Sequence, residues 1–186
     1  LWDEKVSPAQ RMFRRIPADH RTMYEARIAL IQNKSGASSL VNKVSGALKD
    51  DPGLIYDRMR YRARRGDDQG VRQMLLAAPQ TVPYPENWWK HRELQVRKAI
   101  DEGNHKTALK LLAGHAQIEG SSLADATWLH GWISLEFMRE SKKAYDIFTQ
   151  MYDYVRYPVS RARAAYWAAR AADRSGDAAS AARWYQ

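Results

Sequence analysis

The feature that most constrains this chain is a short polar turn that recurs at nearly constant spacing. Gly66-Asp67, Gly103-Asn104, Glu140-Ser141 and Gly176-Asp177 lie 103 − 66 = 37, 140 − 103 = 37 and 176 − 140 = 36 residues apart. Five residues after each marker stand Val71, Ala108, Tyr145 and Ala181, and eight residues after stand Met74, Leu111, Phe148 and Trp184. These positions are apolar or small, so the second helix of every unit is expected to bury the same face. Each unit is then a helical hairpin too small to cover its own apolar side, completed by its neighbour in a stack.

The expected fold is therefore all-α, a right-handed superhelix of hairpins. A tetratricopeptide repeat has the same design but a period of roughly 34 residues and a Trp-Leu-Gly-Tyr and Pro signature that this chain does not reproduce. The units are TPR-like and longer. Residues 1–49 are expected to hold one or more irregular N-terminal hairpins, and residues 50–186 the regular ones. The chain opens on Leu1 and stops at Gln186 inside a helix with no Gly, Asn or Pro stop signal. A fragment of a longer protein is expected.

Within that frame, Asp19 is expected to cap a helix after Pro17, with Met23, Ala26, Ile28, Leu30 and Ile31 on its apolar stripe. Ser38 to Leu48 should form the returning helix. Asp50-Asp51-Pro52-Gly53 is a helix-start signal, and Gln69 to Ala78 the partner, burying Val71, Met74, Leu75 and Leu76. Pro79 to Pro85 holds three prolines in seven residues and reads as an extended connector. After it, Trp89, Leu94, Val96, Ala99 and Ile100 form the next buried face.

Composition excludes several chemistries. With no cysteine, thiol catalysis, disulfides and Cys-type zinc sites are ruled out. The five His show no i,i+4 pair, so no metal site is expected, and no P-loop, nucleophile elbow or dinucleotide fingerprint occurs. No cofactor is implied. No run of roughly 18 apolar residues is present, so no membrane span is expected. A formal charge of +9 points to anionic surroundings. Its densest cluster puts Arg58, Arg62 and Arg65 on one helical face and Arg60 with Arg64 on another. The first three are candidate substrate-binding residues; the competing reading is a solvated helix flank.

Seven Trp raise the question of sugar-stacking platforms. Trp132, Trp167 and Trp184 fall on the apolar faces of the repeat and are expected in the core. Trp88 and Trp89 are adjacent, so one helical face cannot bury both alike. Trp88 is the fourth candidate substrate-binding residue.

Three stretches, Tyr84 to Trp89, Trp128 to Leu135 and Ser160 to Ala172, resemble the helical domain of proteobacterial soluble lytic murein transglycosylases. The most specific part is Ser160-Arg161-Ala162 followed by Tyr166-Trp167-Ala168-x-Arg170-Ala171, with Ala169 where many relatives have Gly. The resemblance runs from about Leu54 to the end. It implies that the chain is a fragment of a longer ring or horseshoe, a non-catalytic scaffold in a periplasmic enzyme that cleaves peptidoglycan to 1,6-anhydromuramoyl products. The scaffold would position a catalytic domain after residue 186, and peptidoglycan would be the partner through the parent enzyme. The family's catalytic Glu stands in a Glu-Ser pair within an apolar helix. Glu140-Ser141 spells that pair, but it fills a turn slot among Arg139, Lys142 and Lys143, so no catalytic residue is expected in this chain. The alternatives are a TPR-like protein-interaction scaffold without enzymatic role and, from charge alone, a repeat that binds RNA. The latter lacks repeated base-reading positions, and nucleic acid is not expected as a partner.

Overall fold

The computed structural model describes all 186 residues, and its regular structure is entirely helical. The helices are α1 (Val6–Arg11), α2 (Ala18–Ile31), α3 (Ala37–Asn42), α4 (Pro52–Ala63), α5 (Asp68–Ala77), α6 (Pro85–Asp101), α7 (His105–Ala113), α8 (Gly120–Glu136), α9 (Ser141–Tyr154), α10 (Pro158–Arg174) and α11 (Ala178–Tyr185). Short 3-10 turns occupy Phe13–Arg15 and Gly46–Asp50. The chain forms two compact units, Leu1–Pro83 and Tyr84–Gln186, which part within the proline-rich connector. Residues 1–49 are not a separate unit, because α2 packs on α4 as well as on α3.

The hairpin turns share one mechanism. A residue in the left-handed region ends the first helix, and the next amide folds back on a carbonyl five residues earlier. Gly66, Gly103 and Gly176 take φ of 71°, 71° and 84°. The N–H groups of Asp67, Asn104 and Asp177 then donate to the carbonyls of Arg62, Ala99 and Ala172. This is the Schellman arrangement, and glycine fills it because it has no Cβ to clash. Asp67, Asn104 and Asp177 next cap the second helix, their side chains accepting from the N–H of Gly70, Thr107 and Ser180.

Two turns are built without glycine. In the first, the left-handed residue is Asn33, with φ 57°, and Lys34 N–H donates to Ala29. In the fourth it is Arg139, with φ 58°, and one extra residue lets Glu140 N–H reach back six residues to Ser134. The true spacings are 66 − 33 = 33, 103 − 66 = 37, 139 − 103 = 36 and 176 − 139 = 37. Counted from Arg139, the fifth residue of α9's unit is Ala144 rather than Tyr145. Val71, Ala108, Ala144 and Ala181 are then all buried.

The expected helix over Ser38–Leu48 stops at Asn42, since Gly46 takes a positive φ and the chain tightens into a 3-10 turn. Asp19 lies inside α2 and makes no cap; its carboxylate takes the N–H of His20 instead. Leu76 and Leu94 face solvent, at 45% and 49% exposure. On α6 the place expected for Leu94 goes to Arg92 and Gln95, both buried. Arg92 Nη1 donates 2.8 Å to the carbonyl of Leu111 in the last turn of α7. A cation suits that end of a helix.

In the first unit Met23, Ala26, Leu30, Val41, Leu54 and Tyr61 form the core between α2, α3 and α4. In the second, Leu135, Ala144, Phe148, Ala168 and Ala171 join α8, α9 and α10. Gly131 permits this closeness: a Cβ there would lie 2.6 Å from Phe148 Cζ. A recurring clamp ties successive first helices. Arg64 and Arg174, each two residues before a turn glycine, donate to the carbonyls of Leu30 and Leu135 in the last turn of the preceding first helix.

Candidate functional site

Three of the four candidate residues converge. Arg58 and Arg62 of α4, with Arg65 in the turn just past its end, line a cleft of about 330 Å³ that is also bordered by Ser38, Val41 and Asn42 of α3. Leu30 and Tyr61 supply apolar lining, and Asp67 stands at one end. The i,i+4 and i,i+3 spacing, carried past the end of α4 by the turn in which Arg65 N–H donates to the Arg62 carbonyl, keeps the three side chains on one side. The solvated-flank reading is incomplete, because this face borders a concavity.

The three cations are held differently. Arg62 Nη1 sits 3.1 Å from Asp67 Oδ2. Arg65 lies with its guanidinium carbon 3.5 Å from the Tyr61 ring centroid and donates to the Asn33 side-chain oxygen. Arg58 is half-buried and makes no hydrogen bond or ion pair with the protein. Burial, and then the neighbouring Arg62 charge, pull Arg58 below the usual arginine range. Gly70 makes room for this arrangement, since a Cβ there would collide with the Arg62 and Asp67 side chains.

Trp88 must be corrected. It is 1% exposed, so its ring offers no face to a ligand. It belongs to the stripe Trp88, Arg92, Gln95 and Ala99, all buried, while Trp89 and Val96 are buried beside it. The second unit's other tryptophans are half-buried rather than fully interior. Trp128 and Trp132 stack with centroids 5.8 Å apart, Trp167 meets Trp128 edge-on at 6.0 Å, and Trp184 Nε1 donates to the Tyr145 hydroxyl at 3.1 Å. Their inner faces cover the core of α8, α9 and α10.

Glu140 occupies the turn before α9, half-exposed and paired with Lys143 at 2.9 Å. That is a solvated position, the opposite of the desolvated setting a general acid requires. No three His, Asp or Glu side chains converge as a metal site would need, and no helix is long and apolar enough to cross a membrane.

A second concavity, about 470 Å³, lies in the second unit between the start of α8 and the α9–α10 link. It is lined in part by Ile118, Leu123, Tyr154, Val155 and Tyr157. Ile118 and Tyr157 are 82% and 75% exposed.

Sequence reasoning passed over Ser38 and Asn42, the polar wall facing the arginines. Their i,i+4 spacing on a short helix was the available signal. No family model, no curated protein and no solved structure matches the chain.

Proposed function

We propose that this chain is a non-catalytic, TPR-like superhelical segment of a periplasmic soluble lytic transglycosylase. The observation that carries the scaffold part of this reading is the repeated hairpin module. The same left-handed turn joins the two helices of successive pairs, and first helices pack on one another in α2–α4, α6–α8 and α8–α10. Modules built this way propagate into right-handed superhelices, and stability comes from neighbour contacts rather than one central core. The peptidoglycan part rests on the resemblance carried by Tyr84 to Trp89, Trp128 to Leu135 and Ser160 to Ala172. In this reading the segment positions a catalytic domain and guides glycan strands or their peptides. The coding sequence beyond Gln186 tests it. A Glu-Ser pair in an apolar helix, followed by Gly-Leu-Met-Gln and Ala-Tyr-Asn-like motifs, is expected; continued hairpins without such a domain would remove the enzymatic reading.

A TPR-like protein-interaction scaffold is the second reading, and the apolar concavity around Ile118, Tyr154 and Tyr157 favours it. Such a surface suits an extended peptide with apolar side chains. Capture of one defined peptide by the intact chain, lost on Tyr157→Ser, would support it; unchanged capture would count against it.

A further inference from the structure

We propose that the cleft between α3 and α4 binds a small organic dicarboxylate, with Arg58 as its principal cation. This goes beyond the scaffold reading and does not depend on it. Three guanidiniums and one carboxylate line the space, for a formal charge of 3 − 1 = +2. Two of the cations are compensated within the fold, Arg62 by Asp67 and Arg65 by Tyr61 and Asn33. Arg58 is not. A half-buried guanidinium carries five donors and no acceptor, and leaving it without an anion forfeits interactions that a carboxylate restores in a bidentate fork.

The facing wall is complementary. Ser38 and Asn42 stand one turn apart on α3, both solvent-accessible, and their side chains make no hydrogen bond with the protein. Hydrogen-bond donors therefore border the space from both sides. Between them lie Leu30, Val41 and Tyr61, which suit carbon rather than water. A cleft of about 330 Å³ is near the small end of ligand sites and accommodates an amino-acid-sized skeleton. An alkyl chain with a carboxylate at each end satisfies the charge, the donors and the apolar lining together. Inorganic phosphate has the charge but nothing to place on the apolar lining.

The test is titration of the whole chain with glutarate, followed by calorimetry and by amide chemical shifts. The expected result is saturable one-to-one binding with shifts centred on α3 and α4. Arg58→Gln should weaken it at least tenfold. Asn42→Asp, at an exposed position that cannot disturb the core, should weaken it similarly by repelling the ligand, and circular dichroism should show both variants as helical as the parent. Inorganic phosphate should bind at least tenfold more weakly than glutarate. Absence of saturation, an unchanged affinity in Arg58→Gln or Asn42→Asp, or phosphate binding as tightly as glutarate would each overturn the proposal.

Discussion

Arg27 Nε donates to Asp57 Oδ2 across 2.7 Å, with the two residues 5% and 2% exposed, so α2 and α4 are joined by an ion pair inside the first unit. The Arg27 guanidinium lies so close to Gly53 that a Cβ there would stand 2.2 Å from Nη1. It is also within 3.8 Å of Asp51, the residue that caps α4. Burial pushes the Asp57 carboxyl up against Arg27's opposing pull. An ion pair in such a place gains little over apolar packing, yet neither partner survives alone.

Arg27→Met should therefore destabilise the protein by about 3–5 kcal/mol, because it strands a buried carboxylate. Adding Asp57→Leu to that variant should recover most of the loss. Urea denaturation of the two single variants and the double variant checks this; additive losses would show that the pair is not coupled.

Gly131→Ala should destabilise despite alanine's better helix propensity. The new methyl would meet the fully buried Phe148 ring, and overpacking costs about 1–3 kcal/mol against a helical gain of about 1 kcal/mol. Phe148→Leu, which shortens the ring side, should make the Gly131→Ala cost smaller in the double variant than in the parent. Thermal melts of the four proteins give the comparison.

The turn alignment makes a paired prediction. Arg139 holds a left-handed backbone that costs an L-residue about 1–2 kcal/mol, so Arg139→Gly should stabilise by up to about 1 kcal/mol after glycine's entropic cost. Gly103→Ala, in the equivalent turn, should destabilise by a similar amount. A loss in both variants would contradict the equivalence of the two turns.

Burial, and then Arg92, lower the His115 pKa below 6.5, and burial followed by Lys143 and His115 lowers that of His130. His115 Nδ1 accepts the N–H of Gln117 at 2.8 Å, a bond that requires this nitrogen unprotonated. The unfolded chain thus takes up protons more readily than the folded one below pH 6.5. Stability should be full near neutrality and fall as pH drops through 6.5 toward the lowered folded values. Urea midpoints measured between about pH 7 and about pH 5 should decline, and His115→Asn, which keeps an acceptor without a proton to gain, should flatten the decline.

How far the sequence could be read follows from these residues. Gly66, Gly103 and Gly176 were visible as turns because glycine is the residue that a left-handed backbone favours. Asn33 and Arg139 take the same conformation without glycine, so the first turn carried no glycine marker and the fourth was displaced by one residue. The cleft's three arginines were visible through helical spacing, since Arg58, Arg62 and Arg65 share a face whatever they border. That they border a concavity depends on α3 stopping at Asn42, which the positive φ of Gly46 helps to set. Trp88 was misjudged because its buried stripe continues through Arg92 and Gln95, polar residues that an apolar pattern does not count. Arg27 and Asp57 were hidden because they lie thirty positions apart and become legible only once α2 meets α4.

We propose, from the resemblance alone, that this helical segment serves a peptidoglycan lytic transglycosylase. The most direct measurement is mass spectrometry of the muropeptides released when the full-length protein acts on purified murein sacculi. Products ending in 1,6-anhydromuramoyl groups are expected. Products with hydrolysed, reducing muramoyl ends, or sacculi left intact by the folded full-length protein, would contradict it.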